Sequence, residues 1–204
     1  MTYRGKRVLD VVLGGTALLL TAPLLGVAAV LIRLESHGHP IYRQRRVGRD
    51  GQPFELYKLR TMVTDAERQG AGLIVDAGDA RITRIGAWLR RYSVDELPNL
   101  INVLAGEMSL VGPRPTVQVQ VDQYSERQRG RLDVRPGITG WAQVNGRASL
   151  PWHERIELDL WYVEHASLAL DLRIMWLSLR MVFGGHGLYR GETGGWRQPP
   201  RDDA

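Results

Sequence analysis

The chain has 204 residues and a net charge of +5, and all of its 27 basic side chains except Lys6 and Lys58 are arginine. It contains no cysteine, which excludes disulfides, thiolate metal sites and a cysteine nucleophile. The length suits one domain with an appendage, and the arginine content predicts an anionic partner, either nucleic acid, an anionic membrane surface or a nucleotide-like substrate.

An uncharged apolar run extends from Val11 to Ile32. At about 1.5 Å per residue, it is just long enough to cross a hydrocarbon core of about 30 Å. Pro23 lies at its middle and interrupts helix hydrogen bonding, and basic residues flank both ends although they favour the cytoplasmic side. These features favour a re-entrant helix hairpin over residues 1–36, with Thr21 bonding the backbone at the break. A spanning helix and a buried core helix remain alternatives, and a cleaved signal peptide fits least.

The segment 41–62 is typical of a β-hairpin with its turn at Asp50-Gly51. Side chains alternate along a strand, so Lys58 and Arg60 are predicted to share one face of the second strand. Two cations on one face could line a phosphate site, but the pattern alone favours an ordinary solvated face.

Two helices carry apolar stripes. The basic segment 81–92 fits a helix lying on anionic lipid and fits an ordinary surface helix nearly as well. Near the C-terminus, Asp171 is predicted to cap a last helix with a stripe formed by Leu172, Met175, Trp176, Leu179 and Val182.

Two adjacent carboxylates, Asp95 and Glu96, precede Pro98 and an apolar run. Ser93 and Glu96 have the spacing of a capping box, which would explain both acids as the start of a helix. The alternative is catalytic: a carboxylate at a helix N-terminus stays ionised and nucleophilic, beside N–H groups that can hold an anion. Arg114, between two prolines, would be a phosphate anchor nearby. The pattern alone favours the helix start, and the arginines fit either interpretation.

Taken together, the segments resemble the bacterial sugar transferase family, the monotopic phosphoglycosyl transferases, over nearly the whole chain. The resemblance is carried by five stretches in order: KRVLDVV, QRRVGRDGQPFELYKLRTM, RITRIGAWLRRYSVDELPNLINVLAGEMSLVGPRP, RPGITGWAQVNGR and YVEHASLALDLRI. It implies transfer of a sugar-1-phosphate from a UDP-sugar to a polyprenyl phosphate such as undecaprenyl phosphate, with release of UMP, as the first membrane step of glycoconjugate assembly.

The resemblance also implies roles for particular residues. Asp95 corresponds to the nucleophile that forms a covalent phosphosugar–aspartyl intermediate, and Glu96 to its partner, which helps to bind Mg²⁺ or to position the reacting groups. Both are therefore expected metal ligands. The expected substrate-binding residues are Lys58, Arg60, Arg91, Arg114 and Arg147.

The expected fold is α+β: a re-entrant hairpin over 1–36, a catalytic domain over 37–183 with interfacial helices and a small sheet, and a Gly/Pro-rich tail over 184–204. The expected location is the cytoplasmic face of the bacterial inner membrane, in contact with anionic lipid and without nucleic acid; a homodimer is left open. A non-catalytic basic protein that docks on anionic lipid or nucleic acid is the alternative. Such a protein would not require Asp95, Glu96 and Arg114 together.

Overall fold

The computed structural model describes residues 3–66, 78–146 and 149–184, and it combines one long apolar helix with a body of short helices and two small sheets. This mixed composition confirms the α+β class in outline. The helices are α1 (Lys6–Glu35), α2 (Arg84–Arg91), α3 (Asn99–Ala105), α4 (Gln118–Val121), α5 (Glu126–Arg129), α6 (Trp141–Val144), α7 (Trp152–His165) and α8 (Leu168–Gly184). The strands are β1 (Ile41–Val47), β2 (Pro53–Leu59), β3 (Ser109–Val111) and β4 (Gly137–Thr139).

Strands β1 and β2 form the predicted antiparallel hairpin, with Ile41 opposite Leu59 and Val47 opposite Pro53. Its turn uses left-handed backbone at Asp50, with φ of 54°, and at Gly51, with φ of 74°. Aspartate and glycine tolerate this conformation, so the Asp50-Gly51 prediction is confirmed.

Strands β3 and β4 form a second, parallel pair, with Ser109 opposite Gly137 and Val111 opposite Thr139. The residue after β3 and the first residue of β4 approach so closely that a Cβ on Gly137 would lie 2.1 Å from the Gly112 backbone nitrogen. Only glycine fits there. This contact fixes the start of the loop that carries Arg114.

The first helix is continuous from Lys6 to Glu35, with Pro23 inside it. The two separate helices predicted on either side of Ala22-Pro23 are therefore not found, and the re-entrant course remains a prediction. Thr21 donates to the Ala17 carbonyl at 2.7 Å, one turn back, so its hydroxyl binds its own helix. This back-bonding satisfies the hydroxyl without opening the helix.

Both ends of α1 are attached to the body. At its start, Lys6 Nζ lies 2.5 Å from the buried Asp171 carboxylate, and Asp10 accepts from the Ser109 hydroxyl and the Leu110 N–H, both at 2.9 Å. At its end, Glu35 accepts from two backbone N–H groups in the first turn of α2, at 2.8 and 3.0 Å.

The length and composition of α1 would allow it to cross a membrane. Much of its surface is exposed and apolar, with Leu19, Leu20 and Leu34 more than 70% exposed, which argues against a buried core helix.

The stripe predicted for the last helix also faces outward, since Leu172, Trp176 and Leu179 are exposed. Asp171 does not cap α8: its side chain is fully buried and accepts hydrogen bonds from Tyr162 and Tyr3 at 2.7 and 2.8 Å. Ser167 supplies the cap instead, accepting from the Leu170 N–H at 3.3 Å. The predicted C-terminal tail, except for Gly184 at the end of α8, lies outside the described residues.

Candidate active site

The two carboxylates lie on a short 3-10 turn, Val94–Glu96, between α2 and α3. Ser93 precedes this turn with left-handed backbone, at φ of 55°, and its side chain caps nothing. The predicted capping box is therefore wrong. A capping serine needs extended backbone to aim its hydroxyl at the following N–H groups, and the left-handed conformation points it elsewhere. The Glu96 side chain is thus available to the rest of the site.

Glu96 is held by two cations from distant segments. Its Oε1 accepts from Lys58 Nζ at 2.7 Å and from Arg114 Nη2 at 2.6 Å. Burial alone would raise the pKa of Glu96, but Arg114 and Lys58 outweigh burial and hold the pKa well below its usual value. Glu96 is therefore a permanent anion that draws strand β2 and the Arg114 loop to one point.

Asp95 is buried, and among the residues that the structure describes its carboxylate has no hydrogen-bond partner. Burial raises the pKa of Asp95 above its usual value, and the negative charge of Glu96 raises it further. The cations that act in the opposite direction are Lys58, Arg90 and Arg114. An unpaired carboxylate close to several cations is available to attack an electrophile or to bind a metal ion.

Lys58 and Arg114 reach the site from different segments and lie in different environments. Lys58 projects from β2, where it lies opposite Tyr42, and burial lowers its pKa from the usual value. Arg114 lies between Pro113 and Pro115, and the Glu96 charge raises its pKa. The Arg114 side chain is 40% exposed, so part of it faces solvent from which a substrate could arrive.

Two predicted substrate residues are not brought to the carboxylates. Strand β2 ends at Leu59, so Arg60 does not share a strand face with Lys58; it donates to the Ser36 and His37 carbonyls, each at 2.7 Å. Arg60 thus fastens the end of α1. Arg91 is exposed at the end of α2, with its guanidinium 5.8 Å from the Tyr92 ring centre. Arg147 lies outside the described residues.

The sequence interpretation missed Arg90, the neighbour of Arg91. Arg90 donates from Nε to the Thr61 hydroxyl at 2.9 Å, and its charge acts on Asp95. The signal in the sequence is Gly86, one turn earlier. A Cβ on Gly86 would lie 2.0 Å from the Thr61 carbonyl oxygen, so this face of α2 packs directly against the backbone at Thr61. Residues i and i+4 share a helix face, which places Arg90 on the inner side.

The carboxylate pair suits Mg²⁺, which proteins bind through one or two carboxylates together with substrate phosphates. Within the described ranges, the Asp95 carboxylate and Glu96 Oε2 have no hydrogen-bond partner and could serve as oxygen ligands. In the same part of the chain, no group of three or more metal-ligating side chains is found. The residues therefore fit an ion whose coordination a substrate phosphate would complete.

A family model described as bacterial sugar transferase matches residues 1–185. The chain is 41% identical over 183 residues to the uncharacterized sugar transferase EpsL of Bacillus subtilis (strain 168), covering 90% of this chain and 89% of that protein. It is 46% identical over 179 residues to the UDP-glucose:undecaprenyl-phosphate glucose-1-phosphate transferase of Caulobacter vibrioides, covering 83% and 66% of the two chains.

A third relative is the UDP-N-acetylgalactosamine-undecaprenyl-phosphate N-acetylgalactosaminephosphotransferase of Aeromonas hydrophila, 42% identical over 188 residues. The match covers 89% of this chain but only 44% of that protein. The chain therefore spans nearly all of the Bacillus relative and less than half of the Aeromonas one.

Proposed function

Because this chain belongs to the bacterial sugar transferase family, we propose that it transfers a sugar-1-phosphate from a UDP-sugar to a polyprenyl phosphate and releases UMP. The main support for this proposal is that the two neighbouring carboxylates, Asp95 and Glu96, have different interactions. Glu96 is bound by two cations, whereas Asp95 beside it is buried and unpaired. This division of roles suits a nucleophile and a neighbour that fixes the surrounding cations.

The proposed reaction has two displacements at phosphorus. An Asp95 oxygen attacks the sugar-bearing phosphorus of the donor, the bond from that phosphorus to the bridging oxygen breaks, and UMP leaves with the electron pair. A phosphate oxygen of the polyprenyl phosphate then attacks the same phosphorus, the bond to Asp95 breaks, and the carboxylate is restored. No proton has to move in either step.

Phosphoryl transfer depends chiefly on placement and on charge neutralisation. Lys58 and Arg114 supply positive charge from two sides of the pair, and Glu96 holds both side chains in position before a substrate arrives. Mg²⁺, if bound by Asp95, Glu96 and the donor, would neutralise the phosphate charges further.

We also propose that α1 is re-entrant, entering the cytoplasmic leaflet of the bacterial inner membrane and leaving by the same face. The attachment of both helix ends to one charged body supports this course, since the ends of a spanning helix would lie on opposite sides of the bilayer. The exposed apolar residues of α8 lie on the same body as α1 and would rest on the lipid surface.

The test of the enzyme proposal is UMP release by the detergent-solubilised protein, supplied with Mg²⁺, undecaprenyl phosphate and a panel of UDP-hexoses and UDP-N-acetylhexosamines. Asp95→Asn is expected to abolish release, while Asp122→Asn, an exposed carboxylate bonded to Gln118, is expected to retain it. Trapping a phosphosugar on the wild-type protein without acceptor would support the covalent step. Absence of UMP with every donor would refute the proposal in favour of a docking protein.

The topology test uses the absence of cysteine from the chain. Single cysteines at the exposed positions Arg4 and His39 flank α1 and can be labelled with a membrane-impermeant maleimide in oriented vesicles. A re-entrant helix predicts that both positions react from the cytoplasmic side only. Reaction from opposite sides would mean that α1 spans the membrane.

A further inference from the structure

A second pair of cations, Arg131 and Arg155, lies near the Arg114 loop, where the first two turns of α7 meet the turn after α5. Trp152, Arg155 and Asp159 are spaced three and four residues apart and therefore share one face of this helix. That face meets Arg131, which comes from the 3-10 turn after α5. Arg131 connects the group to the candidate active site, because its Nη2 donates to the Arg114 carbonyl at 2.8 Å.

Arg131 is fully engaged within the protein. Besides the Arg114 carbonyl, its guanidinium donates to the Asp159 carboxylate at 2.7 Å and to the Tyr124 hydroxyl at 2.5 Å. The Arg131 and Asp159 side chains are only 3% and 2% exposed. All three guanidinium nitrogens of Arg131 are thus engaged within the protein, and the contact with the Arg114 carbonyl positions the Arg114 loop.

Arg155 differs from Arg131 in its hydrogen bonding. Its guanidinium lies 5.2 Å from the centre of the Trp152 ring, whose centre is also 5.7 Å from the guanidinium of Arg131. Within the described residues it has no carboxylate partner, and even the unpaired Oδ1 of Asp159 does not bond to it. A guanidinium that lies over an aromatic ring without a carboxylate partner can still donate its N–H groups to a phosphate.

The charge around Arg155 favours an anion. Burial lowers the pKa of Arg155 to about 10, and the positive charges of Arg114 and Arg131 contribute to the same effect. Glu96 is already paired with Arg114, and Asp159 is paired with Arg131 through Oδ2. A further negative group at this place would relieve repulsion between like charges.

We propose that Arg155 is a second phosphate-binding residue of the site, which together with Arg114 binds a phosphate group of a substrate on the platform formed by Trp152. The inference rests on the proposed function, since the phosphate would belong either to the UDP-sugar or to the polyprenyl phosphate. Both ligands present the same chemistry, and kinetics can separate them because the two react in successive steps.

The test compares the full-length wild-type chain with Arg155→Gln in detergent, by UMP release at varied donor and then at varied acceptor concentration. Loss of a hydrogen bond between charged groups predicts a rise in one KM of about tenfold or more. A rise in the donor KM alone assigns the UDP-sugar phosphate, and a rise in the acceptor KM alone assigns the lipid phosphate. Arg155→Lys retains the positive charge, and its KM is expected to lie between those of wild type and Arg155→Gln. Arg129→Gln, at an exposed arginine of α5, is the matched control and should leave both KM values unchanged.

A binding measurement keeps this inference separate from the proposed reaction. Inorganic pyrophosphate is expected to raise the Tm of the wild-type and Asp95→Asn proteins, and to raise that of Arg155→Gln much less. This result would support the phosphate site even if no UDP-sugar were turned over. The proposal would be overturned if Arg155→Gln had unchanged KM values and the same pyrophosphate-induced rise in Tm as wild type. If Arg155→Gln also had a lower Tm without ligand, the role of Arg155 would be structural only.

Discussion

Arg114 donates a hydrogen bond of 2.6 Å to Glu96 across 18 residues of sequence, joining the proline-flanked loop after β3 to the turn that carries the carboxylate pair. Lys58 binds the same oxygen from β2. Three segments that are separate in sequence therefore meet at one carboxylate oxygen, and the arrangement of the candidate site depends on it.

Replacing Glu96 by glutamine should disable the site without removing the proposed nucleophile. Both cations lose their anionic partner and become free to move, and misplacement of catalytic groups by about 1 Å typically costs on the order of 100-fold in rate. We expect kcat for UMP release to fall by about 100-fold, measured with saturating substrates. Glu157→Gln removes an exposed carboxylate that pairs with Arg127 and should have little effect. An active Glu96→Gln protein would contradict the positioning role.

The pH dependence should report on Asp95. Only the ionised carboxylate can attack, and burial raises its pKa, so kcat/KM should fall on acidification at a pH above the usual aspartate value of about 3.9. Lys58→Met removes a cation that lowers this pKa, so the acid limb should move to higher pH. Arg43→Met, which removes an exposed cation of β1, should leave the limb in place. A shift of the Lys58→Met limb to lower pH would show that another group titrates.

Arg60 is expected to matter for stability and not for substrate binding. Arg60→Met removes the hydrogen bonds to the carbonyls after α1, and we expect the free energy of unfolding to fall by about 1–3 kcal/mol. Denaturant unfolding in detergent measures this change. The KM values for donor and acceptor should stay within about twofold of wild type; a large rise in either would return Arg60 to the substrate-binding residues.

Gly86 should tolerate no side chain. A Cβ there would lie 2.0 Å from the Thr61 carbonyl oxygen, which is backbone and cannot rotate away. Gly86→Ala is expected to lower the free energy of unfolding by about 1–3 kcal/mol, and to displace Arg90 from Asp95 as α2 moves. At Gly26 in α1, where a Cβ would meet nothing within 4 Å, alanine should be harmless. Equal stability of the two variants would show that α2 adapts without cost.

The parts of the fold that follow from local sequence could be predicted. The Asp50-Gly51 turn sets the hairpin because few residues tolerate its left-handed backbone, and the hairpin delivers Lys58 to the site. The alternation of strand residues also predicts Arg60, two residues later, on the same face. That assignment fails because the strand ends at Leu59, and strand ends depend on pairing that alternation does not encode.

Other features depend on contacts between distant residues. The S-x-x-E spacing at Ser93 predicts a cap only where the serine backbone is extended, and between α2 and the following turn this backbone is left-handed instead. The apolar residues of α8 recur with a helical period, but this period does not show whether they pack against the protein or are exposed at its surface. The pairing of Arg131 with Asp159, 28 residues apart, has no local signal at all.

The ion pair between Lys6 and Asp171 joins residues 165 positions apart in the chain. At about 5–20 residues per second, a ribosome takes roughly 10 to 30 seconds to complete the stretch between them. Throughout that interval the first turn of the apolar helix carries a cation without its partner, at a point that is buried in the finished protein. The base of α1 therefore stays open until the last helix has been made, and docking of α8 is the step that joins the start of α1 to the body.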